Sequence, residues 1–403
     1  MASVESQTED KIATSSGEGV RGPDPLRTIQ IIESANAGVA RHTLDLCEGL
    51  AERGCDVHLI YSPVRTDRLF EQGLARITAH PQVTSAECPI RRSVHPSDYV
   101  AANYVRRYAK KHGPFDVIHG HSSKAGAVGR LAAWRLKIPA IYTPHAIGTM
   151  NPLISRKARW LIGTIERQLS RVPGRLIALS PEEHHHLLGL GIKDCHIEVI
   201  SNGIADTALP SKEEARNTLG LPADAPIVGF IGRLSKQKAV DVLVAGFAQV
   251  VSENVDARLA IIGTGELESQ LREQAESLGV ADRIDWLGHQ DGFASMPAFD
   301  VFALPSRYEG LPYVLMEAVF AGLPIVASDL ASSSLLLESG ENGWVVPSED
   351  PASLAEAITK LLANPEQRKA FGKASRLRAA DFTIDKMVDK TLALYRQLAM
   401  QSR

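Results

Sequence analysis

Two glutamates eight positions apart, Glu309 and Glu317, stand out in the segment SRYEGLPYVLMEA, residues 306–318. Pro312 suits a first helical position, and Gly310 leaves the neighbouring backbone N–H groups approachable. Glu309 then lies just before a helix start, where a carboxylate also complements the helix dipole. Glu317 falls in an apolar, small-residue stretch (VLMEAVFAG), where an unpartnered carboxylate is costly. A ligand carrying a diol, such as a ribose, would meet that cost. Earlier in the chain, GFIGRLSKQK (229–238) closes an apolar run at Gly232 and follows it with Arg233 and Lys238. A guanidinium and an ammonium at a helix start make a cationic cradle for a diphosphate. The same pair also suits an ordinary solvated helix start. In IIGTGEL (261–267), Gly263 and Gly265 permit close approach of a phosphate, a ribose or a base edge, and equally of another loop.

The chain has 13 histidines. His119 and His121 leave the run FDVIHGH at its end; a His-x-His pair can hold zinc, yet no third ligand follows at a suggestive spacing. His121 is read as substrate-facing or as a structural hydrogen-bonding group. His184–His186 fall on a polar helical stretch and are read as solvated. His145, after IYTP, is the best active-site histidine, its alternative being a helix-start residue bonded only to backbone. No Asp-x-Asp element is placed to hold a metal, so no metal and no cofactor are expected.

The elements that must carry these residues alternate regularly. In the first half, strands are expected at 27–34, 55–61, 115–121, 139–143, 175–180 and 196–201, with helices at 38–53, 97–112, 123–135, 153–171 and 181–189. The second half restarts with strands at 225–232, 257–263, 283–288, 300–306 and 324–328 and helices at 237–252, 266–278 and 313–321, before three C-terminal helical segments. Repeated strand–helix alternation specifies parallel sheets covered by helices. The expected fold is α/β, with two doubly wound, Rossmann-like domains facing a cleft. The boundaries are a disordered leader over 1–25, domains over 26–205 and 206–382, and a helix over 383–403 packing back on the first domain. The Pro, Gly, Ser and Asp cluster over 201–226 contains the linker.

Composition narrows the function classes. At 403 residues, with 44% hydrophobic and 23% charged residues, the chain exceeds one core and is not disordered. Aromatics at 5% and a net charge of -3 argue against nucleic acid as a partner. That net charge is a cancellation: residues 26–205 hold 23 Lys+Arg against 15 Asp+Glu, while residues 206–403 hold 19 against 27. Basic residues recur in YVRRYAKKH (104–112) and SRKARW (155–160), and Trp160, Leu161, Ile162 and Ile165 punctuate the second stretch. A basic amphipathic helix can rest on an anionic membrane, or be an ordinary surface helix. The leader has no apolar block and no long apolar run occurs, so a cytoplasmic protein, at most peripheral on the membrane's inner face, is expected. The four cysteines are read as buried free thiols.

Together, the segments GRLSKQK, IIGTGEL, the Glu309–Glu317 element and AGLPIVASD resemble the C-terminal half of retaining glycosyltransferases of the GT-B fold, glycosyltransferase family four ("group 1"). ANAGVARHTLDLCEGLAERGCDVHLI, FDVIHGHSSKAGAVGRLAA, IYTPHA and VISNGI extend the resemblance across nearly all of the chain after the leader. The resemblance implies transfer of a sugar from a UDP- or GDP-linked donor to a hydroxyl of a glycan or lipid-linked acceptor. It implies that Arg233 and Lys238 hold the donor diphosphate, that Glu317 takes the ribose hydroxyls, and that Glu309 takes the transferred sugar. The N–H groups of Gly310 and Leu311 would meet the distal phosphate or sugar. Gly232, Gly263 and Gly265 line the donor loops, and His289 and Gln290 approach the base. Ala37 and Gly38 form the first loop near phosphate and acceptor, with His121 on the acceptor side and His145 beside the reacting sugar. Bacterial surface-polysaccharide assembly is the expected setting. Three positions depart from the family pattern: Ala37 replaces the first of two common glycines, Ala239 replaces the glycine after the phosphate-binding lysine, and Asp206 comes one residue later than in the common Asn-Gly-Ile-Asp pattern. A non-hydrolysing nucleotide-sugar epimerase, or a nucleotide-sugar binder without catalysis, fits the same fold.

Overall fold

The computed structural model describes residues 25–91, 97–253, 256–330 and 333–402; the expected leader lies almost wholly outside them. Among the described residues, seven strands build a first sheet: β1 (Arg27–Ile32), β2 (Asp56–Tyr61), β3 (Val83–Glu87), β4 (Val117–His121), β5 (Ala140–Thr143), β6 (Gly174–Ala178) and β7 (Ile197–Val199). Six build a second: β8 (Ile227–Ile231), β9 (Arg258–Ile262), β10 (Ile284–Gly288), β11 (Val301–Leu304), β12 (Ile325–Ser328) and β13 (Gly343–Val346). The spatial orders are β3-β2-β1-β4-β5-β6-β7 and β10-β9-β8-β11-β12-β13, and every pairing is parallel. These are the two doubly wound units expected. In each sheet the strand order reverses beside the first strand, at β1/β4 and at β8/β11. Crevices at the carboxyl ends of such switch points are where open α/β sheets take ligands.

Buried runs explain the central strands: β1, β4, β8 and β11 are buried on both faces because helices cover both, although β1 and β4 carry buried Thr28, Gln30, His119 and His121 among their apolar residues. The edge strand β3 (VTSAE) buries only Val83 fully, so its pattern lacks the apolar run that marks the others. The helix Arg68–Thr78 likewise buries only Phe70 and Ile77. Inside the expected linker the structure places a helix, Lys212–Leu219, started by a capping box in which Ser211 and Glu214 bond reciprocally. The composition of 201–226 hid it, although the S-x-x-E spacing was there to see.

The chain crosses between the halves at two places that touch. Ile204 N donates to Phe382 O at 2.8 Å and Ile384 N to Ile204 O at 3.3 Å. A side chain at Gly203 would collide with Thr383 O at 2.5 Å, so the two crossovers run side by side. From there the helix Ile384–Ser402 buries Met387, Val388, Leu392, Tyr395 and Leu398 in the first half's core, beside Leu46 and Leu50 of the helix Ala37–Glu52. Arg53 clasps its outer face through Asp385 and Asp389, each at 2.7 Å. Cys47, Cys55 and Cys88 are buried free thiols, whereas Cys195 is exposed, because it sits in a short 3-10 turn before β7.

Candidate active site

The loop after β8 leads into a 3-10 turn, Lys236–Lys238, and only then into the helix Val240–Ser252. Ala239 between them takes a left-handed backbone, φ 50°, which interrupts the helix expected from 237. Lys238 Nζ meets Glu309 Oε1 at 2.7 Å, both side chains being largely buried. Ser306 Oγ also donates to Glu309 Oε1 at 2.9 Å, and Gln237 Nε2 to Oε2 at 3.2 Å. Arg233 stands exposed one residue beyond Gly232 and forms no ion pair among the described residues. Gly263 and Gly265 have a steric explanation: added Cβ atoms would lie 2.0 Å from Gly232 O and 2.2 Å from Leu234 O. The two loops pack backbone on backbone, and this holds Gly232 and Arg233 at the sheet's mouth. His289 and Gln290 are exposed beyond β10. Gln290 Nε2 donates back to Leu287 O at 3.0 Å.

Glu317 lies on the helix Tyr313–Phe320, buried as expected. Its partner within the protein is a residue the sequence did not reveal. Arg41, from the first half's helix Ala37–Glu52, pairs with Glu317 Oε1. The Arg41 guanidinium also lies 5.1 Å from the Tyr313 ring centroid. Burial pushes the Glu317 carboxyl up, and Arg41 pulls it part of the way back. Oε2 makes no hydrogen bond among the described residues. Gly38, at the start of the same helix, faces Tyr313: a Cβ there would lie 3.1 Å from Tyr313 Cδ2. Gly310 and Leu311 are buried against the first half. A Cβ on Gly310 would lie 2.5 Å from His145 O and 3.3 Å from Glu183 Oε1, and Leu311 O accepts from Asn202 Nδ2 at 3.1 Å. Glu309, Glu317, Gly310, Gly38 and His145 therefore gather along one seam between the halves. His289 and Gln290 stay at its rim.

His145 has a left-handed backbone, φ 61°, just after β5. His121 is fully buried, and both its ring nitrogens have partners: Nδ1 lies 3.2 Å from His145 Nε2 and Nε2 lies 3.0 Å from Gln30 Oε1. His121 thus takes the hydrogen-bonding place that its reading left open beside an acceptor-side one, held between Gln30 and His145. His42 is a third, unforeseen member, its ring edge-on to His145 with centroids 4.5 Å apart. The three histidines bring ligand atoms within 4.8 Å of one another. A metal there would have to displace the His121–His145 hydrogen bond. Burial holds His42 near 4 and His121 and His145 well below the usual histidine range, so all three are neutral at pH 7. In the solvated run, His184 bonds Asp194 and His186 bonds Thr149, each at 2.7 Å; only His185 is exposed.

Glu183 is another residue the motifs missed. It lies on the helix Pro181–Gly189, with Oε2 accepting from Leu179 N at 2.8 Å and Oε1 buried without a partner. Burial pushes its carboxyl up to about 7. An unfolded glutamate loses its proton near 4.3, so between there and pH 7 the folded state holds the extra proton. Glu183 thus lowers stability as pH rises through that window. Glu183→Gln removes this penalty and raises stability above pH 7 by roughly 3–4 kcal/mol. Melting curves at pH 5 and pH 8 check it: the variant's advantage should appear at pH 8 and shrink at pH 5. The histidines act in the opposite sense, since stability is lost as pH falls from 6.5 and they must charge.

Both departures from the family's glycines keep a glycine-like backbone, with Ala37 at φ 49° and Ala239 at φ 50°. A Cβ in that region is strained. Ala37 is exposed, so its methyl fills no core. Ala37→Gly is expected to stabilise the protein by about 0.5–1 kcal/mol, visible as a small rise in Tm. A fall in Tm would contradict the assigned backbone.

Residues 36–207 match the family model for Glycosyltransferase Family 4, and residues 211–378 match that for glycosyl transferases group 1. A D-inositol 3-phosphate glycosyltransferase of Gordonia bronchialis is 31% identical over 73% of this chain and 68% of its own. One from Acidothermus cellulolyticus is 29% identical over 91% of this chain and 87% of its own. Among solved structures, Anabaena HepE in complex with UDP and glucose superposes with a TM-score of 0.78 at 21% identity, over 92% of this chain and 100% of its own. Sucrose-phosphate synthase from Thermosynechococcus elongatus gives 0.76 at 22%, over 93% and 100%. At such identities the structural likeness is one of fold.

Proposed function

We propose that this chain, which belongs to the group 1 glycosyltransferases of the family-four type, moves a sugar from a UDP- or GDP-linked donor to an acceptor hydroxyl with retention of anomeric configuration. One observation carries the reading: Lys238 and Glu309 meet at 2.7 Å where the loop after β8 faces the loop before the helix Tyr313–Phe320. A cation suited to the diphosphate and a carboxylate suited to sugar hydroxyls thus sit side by side, as the junction between phosphate and sugar requires. Negative charge grows on the departing diphosphate, and preorganised cations and N–H groups lower that barrier. Arg233 and Lys238 supply the cations, and the N–H groups of Gly310 and Leu311 lie at the adjoining helix start. The leaving phosphate assists acceptor deprotonation on the same face, while His145 orients the sugar. No metal takes part, so excess EDTA should leave the rate unchanged.

The acceptor is anionic in this reading. The relatives named above act, by their names, on an inositol phosphate, and the first half of this chain carries the basic excess. A lipid-linked sugar diphosphate in surface-polysaccharide assembly offers the same charge. The helix Arg156–Leu169 favours a peripheral membrane contact: it buries only Gly163 and Glu166 and exposes Trp160, Leu161 and Ile165 among Arg156, Lys157 and Arg159. No helix among the described residues is long and apolar enough to cross a membrane. Flotation with anionic vesicles tests this contact, and absence of binding removes it while leaving catalysis untouched. A panel of UDP- and GDP-sugars, scored for donor hydrolysis and thermal stabilisation, tests the donor. A saturating nucleotide sugar at a hundredfold excess over its Kd stabilises by about 2.7 kcal/mol. Conversion of donor to an epimer without acceptor would favour the epimerase instead.

A further inference from the structure

A single file of hydrogen bonds runs from the C-terminal helix to His145. Thr143 Oγ1 lies 2.8 Å from His119 Nε2, and His119 Nδ1 lies 2.6 Å from the Tyr395 hydroxyl. Gln30 Nε2 donates to that hydroxyl at 3.1 Å and to Thr28 Oγ1 at 3.2 Å. Gln30 Oε1 lies 3.0 Å from His121 Nε2, whose other nitrogen lies 3.2 Å from His145 Nε2. Thr143, His119, Tyr395, Gln30 and His121 are all fully buried, so the file is screened from solvent.

Such a file has a direction. Each neutral imidazole has one N–H and one lone pair, each hydroxyl has one hydrogen, and an amide has two donors on one side. Burial keeps the imidazoles of His119, His121 and His145 neutral. With the Gln30 amide as placed, both its hydrogens are used, at 3.1 and 3.2 Å. The Tyr395 hydroxyl also lies 3.4 Å from Gln30 Oε1, the longer of its two contacts with the amide, so the amide hydrogen takes the shorter one at 3.1 Å. Gln30 Oε1 therefore accepts, and His121 Nε2 carries the proton. His121 Nδ1 is then a lone pair, and His145 Nε2 must donate to it. The second nitrogen of His145, Nδ1, is left as an acceptor.

We propose that Tyr395, Gln30 and His121 are positioning residues that hold His145 as its Nε2–H tautomer, leaving Nδ1 to accept from a hydroxyl of the transferred sugar. The sugar-facing half of this statement rests on the reading of His145 given above; the tautomer does not. The proton on a residue at the cleft is thus set by a tyrosine 365 positions from Gln30 in sequence, on the last helix of the chain. A neutral histidine is useful only in the tautomer its task needs, and the partner of its other nitrogen sets which one that is.

The test is nitrogen NMR on protein labelled with 15N at histidine, with His145→Gln used to assign the His145 signals. Wild type should show His145 with its proton on Nε2. Tyr395→Phe keeps the ring and removes one link; Gln30→Leu cuts the file one link nearer His145 and serves if the first variant does not fold. Each folded variant should show His145 as a mixture of tautomers. With the donor identified by the sugar panel, kcat should fall on the order of tenfold with donor KM unchanged, and the double variant should fall no further. The tautomer is read without substrate, so failure of the glycosyltransferase reading is separable from failure of the relay. A wild-type Nδ1–H form, an unaltered tautomer in both folded variants, or an altered tautomer with unaltered kcat each overturns the proposal.

Discussion

Lys238→Ala should lower turnover of the donor by 100- to 1,000-fold, about 3–4 kcal/mol of transition-state stabilisation, the range seen when one preorganised donor is removed. The loss should fall on kcat, because negative charge on the diphosphate grows only as the bond to the sugar breaks. The substitution also leaves Glu309, bonded on its other sides by Ser306 and Gln237, without its cation. A fall in stability of about 1–3 kcal/mol should accompany it, since a buried acceptor loses its partner. Steady-state kinetics alongside a melting curve separates the two effects. Arg233→Ala removes the exposed cation and should cost activity with no loss of stability. Near-normal turnover in both folded variants would move the diphosphate elsewhere.

The second large effect belongs to Glu317. Arg41 reaches it from the other half of the molecule, so Glu317→Gln weakens both the seam between halves and the carboxylate proposed for the ribose diol. Breaking one side of a buried ion pair costs roughly 3–5 kcal/mol. Arg41 is partly exposed, so a smaller loss, about 1–3 kcal/mol, is expected here. Donor KM should rise by at least about tenfold, one lost charge-assisted hydrogen bond, because Oε2 is the oxygen left to the diol. Arg41→Met distinguishes the roles. It removes the cation but keeps the carboxylate, and it drives the Glu317 carboxyl further up. Stability should then fall more steeply as pH rises through that carboxyl's folded range. If Arg41→Met and Glu317→Gln affect donor KM equally, the ribose role of Glu317 is lost and only the seam remains.

Much of this site was legible because its residues are local to strand ends. Glu309, Arg233 and Lys238 each lie between a strand end and a helix start, Glu317 is the one carboxylate inside an apolar helix, and the alternation of apolar runs places strand ends well. What escaped were the contacts across the fold. Arg41 and Glu317 are 276 positions apart, and nothing in ANAGVARHTL marks Arg41 as the partner of a buried carboxylate. His42 and Glu183 read as ordinary helix residues until the halves close on them. His121 kept two readings because a strand end says that a side chain is near the cleft, not that both its nitrogens are taken by Gln30 and His145. The glycines of IIGTGEL were ambiguous for the same reason: a close approach was legible, and its partner, the backbone of the neighbouring loop, was not. The edge strand β3 and the helix Lys212–Leu219 were missed for lack of a buried run.

Calorimetric titration of UDP and of GDP into wild type, Lys238→Ala and Arg233→Ala tests the central claim most directly. One of the two nucleotides should bind the wild type at a single site, and each substitution should weaken it by at least about tenfold, one charge-assisted hydrogen bond's worth. Equal affinity in all three proteins, or binding of neither nucleotide, would contradict a donor diphosphate held between Arg233 and Lys238.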